Sequence, residues 1–208
     1  MKKNLKRRDF IKKAGLAGAA ATAVSSFAAP AIAAGHQEWI ICSAFGKAGL
    51  LGQAIQAFAD NINSYSDKLK IKVYHAGELV PGLESLDAVR SGAAQASYGA
   101  PYYWTNLSDA IEFVATCPFG MNAMEQNAWC YYGGGIEEAD KIYNALGLKF
   151  LPMGNTGNQM GGWFNKEINT PDDYKGLKMR MPGLGGRTIE KLGATPVLLA
   201  GPDVLPSL

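Results

Sequence analysis

The feature that most constrains this chain is the alternation of short apolar runs with helical stripes between Trp39 and Tyr98. Trp39 to Ala44 is an apolar run of strand length, and Leu50, Ile55, Phe58 and Ile62 recur at helical spacing up to the turn residues near Ser64. Leu69 to Tyr74 alternates as a second strand. Pro81 then sits where a first helical residue belongs, the stripe Leu83, Leu86 and Val89 follows, and Gly92 is placed as a C-cap. Gln95 to Tyr98 makes a third strand. Such a β-α-β-α-β series predicts a parallel sheet with right-handed crossovers, one α/β lobe.

The pattern loosens afterwards. Pro101 to Tyr132 is richer in aromatics and less regular, and Ile136 to Leu146 resumes a helical stripe that Gly147 ends before an expected strand at Lys149 to Met153. The Gly-rich run Gly154 to Gly162 is the best lobe boundary. Beyond it the expected strands are Gly162 to Asn165, Leu177 to Met181 and Thr195 to Leu198, with a helix from Gly185 to Leu192. The division is therefore a leader at 1–33, a first α/β lobe at 34–154, and the start of a second at 155–208. The second stretch is about 50 residues, too few to bury a good independent core.

The leader reads as an export signal. MKKNLKRRDFIKK is basic, Ala14 to Val24 is weakly apolar, and Ala31-Ile32-Ala33 is an A-x-A cleavage site, so the mature chain begins near Ala34. Arg7 and Arg8 followed by Asp9, Phe10 and Ile11 fit the twin-arginine pattern, with ordinary secretion or an uncleaved anchor as the other routes. The apolar core is shorter than the about 20 residues of a spanning helix, so the expected location is the periplasm. The leader holds seven of the 20 Lys and Arg and one of the 18 acids, which leaves 13 basic and 17 acidic residues and a net charge of −4. That balance excludes the clustered positive face of a nucleic-acid binder. Cys42, Cys117 and Cys130 have no C-x-x-C spacing and His36 and His75 lie far apart, so no Cys/His metal site is supported. An oxidising compartment leaves one disulfide open, with Cys117 and Cys130 the closest pair, against three buried free thiols.

Arg180 stands inside an otherwise apolar strand-like run, and an unpaired guanidinium is costly to bury. Two readings follow: its stem packs on apolar neighbours while its head meets an internal Asp or Glu, or its planar fork awaits the carboxylate of a ligand. Gln159, in the Gly-rich turn, is either an exposed polar residue or a contact for a ligand or cation through its acceptor and two donors. Tyr102, Tyr103 and Trp104 follow the third strand at its carboxyl end, the edge where α/β sheets bind ligands, and they serve either an oxygen of that ligand or the core. Trp163 adjoins the Gln159 turn. The glycines 183, 185 and 186 match neither G-x-x-x-x-G-K-[ST] nor G-x-G-x-x-G, and a tight turn explains them. No G-x-S-x-G elbow or triad is present.

The segments TGNQMGGWF, TPDDYKGLKMRMPG and GGRTIEKLGATPV, together with HAGELVPGLESLDAVRSGAAQASYG between His75 and Gly99, resemble the solute-binding proteins of TRAP transporters, most of all the branch that binds 2-oxo acids. The resemblance implies an α/β, two-lobed periplasmic-binding-protein-like architecture. In that family the arginine of the GLKxR strand holds the ligand carboxylate, which maps onto Arg180, and the glutamine of the QMGGW run helps hold ligand and cation, which maps onto Gln159. The implied function is a receptor, not an enzyme, for a small monocarboxylate such as a 2-oxo or 2-hydroxy acid. It works without a cofactor beyond an accompanying cation and has the TRAP membrane subunits as partners. The family pattern continues past Leu208 into an acidic and Trp-bearing segment, further strands and C-terminal helices, so the second lobe is expected to be incomplete here. The competing class is a periplasmic oxidoreductase, since twin-arginine export often carries proteins folded around cofactors.

Overall fold

The computed structural model describes residues 35–208. The export signal and its cleavage site lie outside the described residues.

Strands β1 (Gln37–Ser43), β2 (Leu69–Tyr74) and β3 (Ala96–Tyr98) form one sheet in the order β2-β1-β3. β1 and β3 run parallel, with Ile41 opposite Ala96 and Ser43 opposite Tyr98. Helix α1 (Leu50–Tyr65) lays the expected stripe on this sheet: Ile55 and Ala59 join Ile41, Ile71 and Tyr98 in one buried cluster, with Ile62 and Leu51 at its margin. Pro81 caps a 3-10 turn, Gly82–Glu84, and the α-helix proper, α2, is Ser85–Arg90. Gly82 is required by close approach, since a Cβ there would stand 2.9 Å from the Ala44 carbonyl oxygen and 3.2 Å from the Ala200 methyl. Gly92 takes the left-handed φ of 79° that a helix terminus asks of glycine.

The aromatic stretch is more ordered than its irregular sequence suggests. It folds into 3-10 turns at Pro101–Trp104 and Asp109–Val114 and into helix α3, Ala123–Tyr132. The Asn122 side chain accepts from the backbone N–H groups of Met124 and Glu125, and Glu125 accepts from the Asn122 N–H, a reciprocal capping box. Helix α4 (Gly135–Asn144) then closes the larger core cluster, in which Tyr103, Trp104, Ile111, Val114, Ala139 and Tyr143 are buried together.

A separate two-stranded sheet pairs β4 (Lys178–Arg180) in parallel with β5 (Thr195–Val197), setting Arg180 opposite Val197. Helix α5 (Gly183–Lys191) makes the crossover and buries Gly186 and Ile189, and the short α6 (Gly201–Val204) follows. The expected strands at 149–153 and 162–165 do not form. Pro152 offers no N–H to a ladder, and among the described residues no strand pairs with either run. All three cysteines are free, so the Cys117–Cys130 disulfide is absent, and burial pushes each thiol above its ordinary range. Among the described residues no helix is long and apolar enough to cross a membrane.

Candidate functional site

Arg180 ends β4 and is half-buried. Its Nε and Nη2 donate to the Leu199 carbonyl at 3.2 and 2.9 Å, and Nη2 also donates to the Tyr103 hydroxyl at 3.1 Å. The guanidinium carbon lies 5.7 Å from the centroid of the Tyr103 ring, within cation–π range. No carboxylate forms an ion pair with Arg180 among the described residues. The internal Asp or Glu of the first reading is thus not found, and the charge is held only by neutral oxygens and a ring.

The three aromatics after β3 divide by role. Tyr103 is buried, stacks edge-on against Tyr102 (5.1 Å, 88°) and Trp104 (6.1 Å, 81°), and accepts from Arg180 with its hydroxyl oxygen. Tyr102 is half-buried; its phenol is pushed above its ordinary range by burial and by Tyr103, against the pull of Arg180, and so stays a neutral donor. Trp104 belongs to the core, because its indole is 6% exposed and its Nε1–H is spent on the Leu83 carbonyl at 2.8 Å. Packing is the reading that fits it. Gln159 lies on an exposed turn and donates to the Thr156 hydroxyl at 2.6 Å; no hydrogen bond joins it to Arg180 among the described residues. Trp163 is 90% exposed. No group of three or more His, Cys, Asp or Glu able to hold a metal occurs among the described residues.

A cavity of about 210 Å³ is lined by Tyr102 and Thr105 together with Met181, Gly183, Arg187 and Leu198; Arg180 and Tyr103 are not among its lining residues. Its rim carries a charged pair that sequence reasoning missed. Arg187 donates from Nη1 to Asp109 at 2.9 Å and from Nη2 to Glu112, whose carboxylate is fully buried. The signal was present: Glu112 interrupts the apolar run Ala110-Ile111-Glu112-Phe113-Val114 as Arg180 interrupts its own.

Comparison with known proteins shows the family of the chain. The profile of the DctP family, bacterial extracellular solute-binding protein family 7, matches residues 44–208. A curated relative from Nostoc sp., a monocarboxylate 2-oxoacid-binding periplasmic protein, is 39% identical over 207 residues, covering 96% of this chain and 56% of its own length. Among solved structures, a TRAP periplasmic solute-binding protein from Pseudoalteromonas atlantica with bound sodium and pyruvate superposes with a TM-score of 0.79 at 40% identity, over 83% of this chain and 53% of that one. One from Colwellia psychrerythraea with bound calcium and pyruvate gives 0.78 at 40% identity over the same shares. A third, from Bordetella bronchiseptica with calcium and picolinate, gives 0.80 at 31% identity, over 83% of this chain and 52% of that one. The chain spans about half the length of the relatives it matches, and it shares their α/β fold over that half.

Proposed function

Because the chain belongs to the bacterial extracellular solute-binding proteins of family 7, we propose that it is the receptor of a TRAP-type uptake system that captures a small monocarboxylate, a 2-oxo or 2-hydroxy acid, and delivers it to membrane subunits. The observation that carries this is Arg180: a half-buried guanidinium fixed by the Leu199 carbonyl and Tyr103, with no ion-pair partner among the described residues and with Nη1 making no hydrogen bond there. Its Nη1 is left to donate to a ligand carboxylate, and a bidentate pair forms when Nη2 also turns from Tyr103 to the acid. The Tyr102 and Tyr103 hydroxyls would orient the second oxygen of the acid. Gln159, through its free amide oxygen, would contact a cation, as the sodium and calcium of the pyruvate-bound relatives suggest. In this reading the acid is bound and released unchanged, and the relatives lend the oxidoreductase reading no support. In this reading 1–33 is a twin-arginine leader cleaved near Ala33, residues 34–154 and 155–208 belong to two lobes that close on the acid, and the product works in the periplasm.

Calorimetric titration of the exported protein with pyruvate and lactate, with and without sodium or calcium, tests the assignment. Saturable binding of the acids and none of the neutral analogue acetone is expected. Equal binding of acetone, or none of either acid, refutes it.

A further inference from the structure

Two cross-links join the same two stretches of chain. Arg180 meets Tyr103 across 77 residues of sequence, and Arg187 meets Glu112 across 75. Between them lies the turn Met181–Gly183, which leads from the end of β4 into α5. Gly183 is pressed into this junction. Its φ is +60°, and a Cβ on it would stand 2.7 Å from Glu112 Oε2 and 2.9 Å from the Tyr102 Cβ. Glu112 is 0% exposed, its Oε1 is taken by Arg187, and its Oε2 has no hydrogen-bond partner among the described residues. A carboxylate enclosed in this way is tolerated only while it is paired, and it also gains from facing the first turn of α5, where the helix dipole is positive.

We infer that Glu112 and Arg187 are positioning residues for Arg180: their ion pair, in which Glu112 is buried and Arg187 is 46% exposed, locks the Met181–Gly183 turn against Tyr102 and so sets the guanidinium on the Tyr103 hydroxyl. This rests on the reading of Arg180 as the carboxylate clamp. Only Met181 and Pro182 separate Arg180 from Gly183, so a shift of the α5 start is transmitted to the guanidinium with little chain to absorb it. A group that binds by geometry needs its supporting contacts fixed to about 0.5 Å. Asp109 also accepts from Arg187, but it is 85% exposed and contributes little to the lock.

The test reads Arg180 directly, without ligand. In ¹⁵N-labelled protein the hydrogen exchange of the Arg180 Nε–H, assigned by its loss in Arg180→Lys, is compared with that of the Ile41 amide in the first sheet. Glu112→Gln and Arg187→Gln should speed the Arg180 exchange by about three- to tenfold, the factor one net hydrogen bond carries, with Ile41 unchanged. Asp109→Asn should leave both rates alone. If Glu112→Gln does not fold, Arg187→Lys, which keeps the charge and loses the fork, must show the same selective increase. Arg180 exchange that is unchanged, or that rises only in step with Ile41, makes the pair a general stabiliser and overturns the inference. Pyruvate titration of the same variants should weaken by the same factor. A wild-type protein that binds no pyruvate would refute the proposed function alone, leaving the exchange data to decide the positioning role.

Discussion

Replacing Tyr103 by Phe removes one atom from the site and leaves the rest of its packing. The hydroxyl accepts from Arg180 Nη2 at 3.1 Å, while Arg180 keeps both donations to Leu199. A hydrogen bond to a charged group contributes about 1.5–3 kcal/mol when buried. Arg180 is half-buried and the cation–π contact to the ring, about 0.5–1 kcal/mol, survives in Phe, so the loss should fall to ~1–1.5 kcal/mol. That corresponds to pyruvate affinity weaker by about five- to tenfold. Calorimetry measures the affinity, and urea unfolding at unchanged slope measures the accompanying loss of stability. A Tyr103→Phe protein that binds and unfolds like the wild type would show that the hydroxyl does not hold the guanidinium, and the account of a preorganised fork would fail with it.

Two further outcomes are expected. The Asp173 carboxylate accepts from the Thr170 and Asn169 N–H groups and the Thr170 hydroxyl, which hold it below its ordinary range. Its stabilising contribution is therefore present above the unfolded carboxyl's ordinary 3.8 and lost as pH falls through the lower folded value. Asp173→Asn should flatten the acid limb of stability in urea melts, and an unaltered limb would contradict this. Replacing Arg7 and Arg8 by Lys keeps the charge of the leader but removes the address read by a twin-arginine receptor; fractionation should find the precursor in the cytoplasm, and normal periplasmic levels would assign the general secretory route.

Much of the first sheet was legible because its determinants are local. Leu69–Tyr74 alternates, the Leu50–Ile62 stripe has one face, and Gly92 and Gly147 stop their helices with left-handed φ values of 79° and 75°. The 149–165 stretch was not legible, because strand propensity there lacks the pairing partner that turns it into a strand. The Asn122–Glu125 capping box was present in the sequence and passed over among the aromatics. In the site, Arg180 could be read from a charge in an apolar run and from family resemblance. The split of Tyr102, Tyr103 and Trp104 could not, since three adjacent aromatics on a 3-10 turn point in different directions and only tertiary packing decides which hydroxyl reaches Arg180. Glu112 carried the same signal as Arg180 without a motif around it.

The most direct measurement is pyruvate affinity of Arg180→Ala and Arg180→Lys beside the wild type, in the exported full-length product. Truncating one partner of a desolvated charge pair costs at least ~2 kcal/mol, or about thirtyfold in affinity. Both variants should reach that loss, Lys included, because an ammonium lacks the planar fork that holds Leu199 and Tyr103 while presenting a further N–H to the acid. Wild-type affinity in both variants would remove Arg180 from the site and contradict the central claim.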